Sequence, residues 1–234
     1  MVKKAIWKIM LIVCLIPLGV ALVLTGIYCL FSNQFFEWFW ITEWMCSLPE
    51  ILAYYVIYFS VFAFFGVTAF YVFYEKATKA VMMSLVLLGI SFVFPILRYV
   101  VRHFCFLSTR TAADMWVVFE TDLDTSFVLL IYVVIALFIV WIEKAFYKWI
   151  LKEKPERTKR MFSPKNPVGL AMLIFFAARA VLSTLMFVLD GEYTAESLFL
   201  IGIEYVINLV GFFVGSFGAS ICAKYLDAAR AAGK

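Results

Sequence analysis

Residues 51–74 read ILAYYVIYFSVFAFFGVTAFYVFY, without one Asp, Glu, Lys or Arg. A helix rising ~1.5 Å per residue needs about 20 mostly apolar residues to cross a ~30 Å hydrocarbon core. This run meets that length with residues to spare. Strands of a membrane barrel would instead alternate apolar and polar residues over about ten positions, and no such alternation occurs here.

Five further stretches have the same character: 5–31, 80–101, 127–149, 168–189 and 198–222. The whole chain agrees with them. It is 65% hydrophobic and 15% charged, against roughly 45–50% and 25% in soluble proteins. A mean hydropathy of +0.99 leaves too little polar surface for a water-soluble globule. A 19% aromatic content rules out disorder and low-complexity readings. The expected fold class is all-α: a polytopic integral membrane protein with six transmembrane helices in one domain over residues 1–234.

Lys3, Lys4 and Lys8 precede the first apolar run, as they would in a signal peptide. A signal peptide has an apolar segment of only ~7–15 residues, closed by small residues. Here the run continues past Leu24 and leaves through the bulky Tyr28-Cys29-Leu30-Phe31. The reading is an uncleaved first helix.

Charge sets the orientation. With six spans, the N-terminus, the second and fourth connections and the C-terminus share one side. Of the 20 Lys and Arg residues, all fall there except Arg98, Arg102, Arg110 and the intramembrane Arg179. The other side carries carboxylates, among them Glu37, Glu43, Glu50, Asp190, Glu192 and Glu196. The positive-inside rule then places both termini in the cytoplasm. Trp7, Trp141 and Trp149 fall toward inner ends of spans, and Trp38, Trp40, Trp44 and Trp116 fall in outer loops, as an aromatic belt requires. The expected location is the plasma membrane. No outer loop has an Asn-x-Ser/Thr sequon, which fits a bacterial one.

The connections are short. The aromatic outer loop 33–50 suits the membrane interface. The connection 102–126 holds an apolar stretch, 112–119, with Thr111 and Asp114 in capping-box spacing. The inner loop 144–167 is the strongest charge feature, with Lys148, Lys152, Lys154, Arg157, Lys159 and Arg160. Basic residues near an anionic inner leaflet contribute ~1 kcal/mol each, so lipid contact is the expected role of this loop. A membrane or cytoplasmic protein is the other possible partner, and no nucleic-acid partner is expected. Pro155, Pro164 and Pro167 prevent one continuous helix into the fifth span.

The five cysteines form no metal-binding or redox pair in sequence. Cys14, Cys29 and Cys222 lie in spans as packing residues. Cys46 and Cys105 both fall outside, where a loop-to-loop disulfide is conceivable. The single histidine, His103, reads as a surface residue. Asp122-x-Asp124 stands alone and suits a helix cap better than a metal site. No hydrolase, zinc or nucleotide motif occurs. No catalytic residue, cofactor or metal is expected.

Ionisable residues within spans are expensive, and they normally face a partner in the bundle interior. Arg179 in the fifth span and Glu204 in the sixth stand out. These spans form a hairpin whose midpoint falls between Tyr193 and Thr194. Arg179 and Asn208 are equidistant from that midpoint, as are Ser183 and Glu204. Arg179 and Glu204 therefore differ in level by four residues, ~6 Å, which an Arg side chain can cover. Arg179 and Ser183 share a face at i,i+4, and so do Glu204 and Asn208. The expectation is a four-residue polar cluster, with an Arg179–Glu204 ion pair, as a candidate substrate-binding site.

Along the sixth span, Glu204, Asn208, Gly211, Gly215, Gly218 and Cys222 follow at spacings of 4, 3, 4, 3 and 4. They form one stripe, polar at its outer end and small at its inner end. Gly211 and Gly215 make a GxxxG pair, and with Gly218 they permit close helix packing. Pro17 removes the hydrogen bond to the Val13 carbonyl, and Pro95 does the same for Ser91. The two halves of the chain show no internal repeat.

Two functions are compatible with this pattern. One is a small-solute transporter, or the membrane subunit of a transport complex, working at Arg179, Glu204 and Asn208. The other is a non-catalytic membrane assembly protein in which the ion pair and glycines only join helices. An intramembrane enzyme acting on lipid lacks a nucleophile, base or metal cluster.

Overall fold

In a computed structural model of the chain, the charge-free run 51–74 belongs to one continuous helix, α3, Thr42–Tyr74. The structure describes residues 2–34, 42–106, 112–150, 152, 166–191 and 193–232. Ahead of α3, helix α1 (Val2–Met10) passes through a π-helical segment, Leu11–Leu15, into α2 (Ile16–Gln34). After it come α4 (Ala77–Phe106), α5 (Ala112–Trp149), α6 (Pro167–Asp190) and α7 (Ala195–Ala231). Every regular element among the described residues is helical.

Six segments are long and apolar enough to cross a membrane: Lys4–Tyr28, Ile51–Tyr74, Ala77–Val101, Ser126–Trp149, Pro167–Leu189 and Ser197–Ala231. They coincide with the six expected spans. The last runs nine residues further toward the C-terminus than the expected 198–222. An 18-residue window of the Ile51–Tyr74 span is 89% buried, whereas the corresponding windows of the other spans are buried to 39% or less. A helix that is apolar all round is one that other helices cover, and most of residues 53–73 of α3 are buried.

The chain divides into two compact units. One takes in residues 3–61 and 85–134, and the other takes in 1–2, 62–84 and 135–234. Helices α3, α4 and α5 each contribute to both.

In the first unit, Pro17 lies two residues beyond the π-helical segment. Proline has no N–H and its ring crowds the carbonyl four residues earlier, here that of Val13. The wider π turn relieves the crowding. The stranded carbonyl is then satisfied across helices, because Ser60 Oγ of α3 donates to Val13 O at 2.6 Å. The same unit buries Arg98 of α4, with its guanidinium carbon 5.7 Å from the Tyr54 ring centre.

In the second unit, α7 lies against α3 almost backbone to backbone. A Cβ placed on Gly66 would overlap the Gly215 carbonyl, and one on Gly218 would overlap the Ala63 carbonyl. Only glycine permits that approach.

The ends of the helices in this unit are joined at the α3–α4 turn. Glu75 pairs with Arg230 of α7 and with Lys79 at 3.6 Å. Lys144 Nζ of α5 donates to Val72 O, a carbonyl in the last turn of α3. Such carbonyls have no helical donor and favour a cation. Asn166 caps α6 by accepting from the Val168 N–H at 3.1 Å, with Pro167 at the first helical position. Tyr74 Oη also donates to that Asn166 oxygen, at 3.4 Å.

Candidate functional site

Helix α6 buries one face. Val168, Met172, Phe175 and Arg179, at spacings of 4, 3 and 4, are all at least nine-tenths buried. Arg179 is the last of these, toward the α6–α7 turn, and continues an otherwise apolar stripe. Helix α7 mirrors it. Asn208, Gly211, Gly215, Gly218 and Cys222 are all buried, and Glu204 lies one turn further out.

The hairpin is held in register at its turn. Gly191 ends α6 in the left-handed conformation, φ 69°, which glycine adopts without strain. Thr194 and Ser197 form a reciprocal capping box at the start of α7. With that register, Arg179 Nη2 donates to Glu204 Oε2 at 3.1 Å. The pair unites the two ionisable residues that the sequence singles out. The Arg179 side chain is 5% exposed and that of Glu204 is 38% exposed. Phe62 of α3 supplies a further contact, its ring centre 5.7 Å from the guanidinium carbon. That ring also meets Phe176 edge-on at 5.1 Å, and both rings abut the open side of Gly211. The guanidinium is thus held by a carboxylate and an aromatic face, away from water.

Asn208 lies on the same face of α7, one turn inward from Glu204. It is 4% exposed, and neither its amide nitrogen nor its amide oxygen has a hydrogen-bond partner among the described residues. A buried amide without partners costs ~1–3 kcal/mol. Helix packing alone gives no return for that cost.

Ser183 does not join the cluster. It is half-buried and makes no hydrogen bond among the described residues. The neighbouring Thr184 takes its place, donating to Ala180 O at 2.8 Å and meeting Tyr205 Oη across the hairpin at 2.6 Å. The register is as expected. Adjacent residues on a helix point ~100° apart, and it is the threonine that faces the partner helix.

Arg179 and Asn208 also mark a boundary in packing. From residue 180 to residue 207, no described side chain is buried. Further from the α6–α7 turn, Gly211 and Gly215 of α7 meet Phe176 and Met172 of α6, and Gly218 meets Ala63 of α3. The polar cluster sits where buried side chains give way to half-buried and exposed ones.

Two intramembrane ionisable residues escape sequence reasoning. Arg98 counts by sequence as an outer cation, but it is buried against Tyr54. Glu143 near the C-terminal end of α5 is 7% exposed, and neither carboxylate oxygen has a partner among the described residues. A signal for Glu143 was available. Ser126, Leu129, Val133, Ala136 and Val140 are all buried at spacings of 3, 4, 3 and 4, and Glu143 is the next position on that stripe.

Of the basic loop, Lys148 lies exposed with its amine 5.9 Å from the Trp149 ring centre. Lys152 is exposed with φ 51°. Lys154, Arg157, Lys159 and Arg160 fall outside the described residues, as do the side chains of Cys46, Cys105 and His103. Cys14 and Cys222 are both buried. Among the described residues, no group of three or more His, Cys, Asp or Glu is placed to hold a metal ion.

Comparison with protein-family models, curated proteins and solved structures finds no match to this chain. Its function has to be argued from the site.

Proposed function

We propose that this chain is a small-solute transporter, or the membrane subunit of a transport complex, and that the solute engages Arg179, Glu204 and Asn208. It would sit in the plasma membrane, a bacterial one by preference, with both termini cytoplasmic and the basic loop on the anionic inner leaflet. One observation carries the solute reading: the buried amide of Asn208, unpartnered one turn from a neutralised guanidinium–carboxylate pair. A polar group is retained in an apolar span at a cost when something binds to it. Because Arg179 and Glu204 cancel in charge, the site offers hydrogen bonds and a local dipole rather than net charge. A small polar or zwitterionic solute matches that offer.

The reading is tested by measuring solute-induced thermal stabilisation of the purified protein in detergent, with Arg179→Ala, Glu204→Ala and the double variant alongside. A ligand at about 100 times its Kd adds ~2.7 kcal/mol. The expected result is a solute that stabilises wild type and leaves a folded double variant unaffected.

A second reading has its own support. The uncovered stretch 180–207 offers a two-helix surface within the span for another membrane protein. In that case the ion pair would serve helix packing only. Single variants would then misfold, a charge-swapped pair would restore folding, and no solute would act through the site.

A further inference from the structure

We infer that Glu143 is a proton-binding site in the interior of α5, separate from the Arg179 cluster and independent of its role. The carboxylate lies on the buried stripe of α5 and is 7% exposed. Neither oxygen meets a donor among the described residues. The Lys144 amine, on the next residue, donates to Val72 O rather than to this carboxylate. Arg230 and Lys79 hold Glu75, and Lys148 lies over Trp149. Two residues earlier on α5, Trp141 Nε1 donates to Ser84 Oγ at 3.3 Å.

An isolated carboxylate in an apolar interior is too costly to keep ionised. It must therefore hold a cation of its own. A divalent ion such as Ca²⁺ would need six or more oxygen ligands, whereas no group of three or more His, Cys, Asp or Glu is placed to hold a metal ion among the described residues. A proton needs one oxygen and no cage. It converts the carboxylate into a neutral acid that the apolar surroundings tolerate.

The test uses the whole chain in detergent or liposomes. Hydrophobic dicyclohexylcarbodiimide adds the O–H of a protonated carboxyl across its C=N bond: the carboxyl oxygen bonds to carbon, and the proton moves to nitrogen. Peptide mass spectrometry is expected to find Glu143 modified by this reagent and unmodified by a water-soluble carbodiimide. Modification at this position is lost in Glu143→Gln, which is isosteric and neutral and is expected to fold in wild-type yield. The inference is overturned if dicyclohexylcarbodiimide leaves Glu143 unmodified, or if the water-soluble reagent modifies it equally. Protection by added sodium would assign the site to a metal cation and overturn it too. So would a loss of folded protein in Glu143→Gln that Glu143→Asp restores.

Discussion

Ser60 of α3 donates a hydrogen bond to the carbonyl of Val13, the group that Pro17 leaves without a helical donor. Removing the hydroxyl strands a buried carbonyl, so Ser60→Ala should cost ~1–3 kcal/mol. Pro17→Ala restores an N–H four residues after Val13. In that background Ser60→Ala should cost clearly less. Thermal unfolding of the four proteins in one detergent measures the coupling, and equal costs in both backgrounds would rule out this pairing.

The contact between α3 and α7 predicts a sharp contrast among glycines. Gly66→Ala and Gly218→Ala place a Cβ into a facing backbone carbonyl. Overpacking of this kind costs ~1–3 kcal/mol, and here backbone must move. Gly202→Ala on the same helix meets nothing within 4 Å and should stabilise by ~0.5–1 kcal/mol through helix propensity. Folded yield and melting temperature would reveal both signs.

Asn166 is the cap of α6. Asn166→Ala removes the acceptor for the Val168 N–H and should cost ~0.5–2 kcal/mol. Tyr74→Phe removes the 3.4 Å bond to the cap while leaving the cap itself in place, and should cost less. A larger effect from Tyr74→Phe would show that the helix start depends on α3 more than on its own cap.

Arg179 and Glu204 should behave as a unit. Removing one partner of a buried pair leaves an uncompensated charge, at ~3–5 kcal/mol. The lower end applies here because Glu204 is 38% exposed. The double variant Arg179→Ala/Glu204→Ala should be less damaged than the two single losses combined. A charge swap should recover only part of the loss, since it gives up the Arg179 contact with Phe62, ~0.5–2 kcal/mol. Additive losses in the double variant would contradict the pairing.

The six spans are legible in the sequence because the cost of exposing backbone and charge to hydrocarbon is local and additive along the chain. The Arg179–Glu204 pair is legible for another reason: a short hairpin fixes the relative height of its two helices. Side-chain direction is a finer matter. Thr184 rather than Ser183 meets α7, a difference of one residue on a helix. Ser60 carries no signal, because a lone serine in a span acquires meaning only when Pro17 is seen to face it. Arg98 and Glu143 lie close enough to helix ends that counting charges assigns them to the interfaces. Their burial depends on neighbours that the sequence does not specify, although the periodic stripe of α5 does lead to Glu143.

The claim that Asn208 awaits a solute is tested most directly by Asn208→Leu, a near-isosteric change, followed by unfolding and solute-induced stabilisation. An amide without partners should be replaced at no cost, with a gain of up to ~1–3 kcal/mol, while stabilisation by solute disappears. A variant that loses stability and keeps its response to solute would show that Asn208 holds helices together, and would contradict the account.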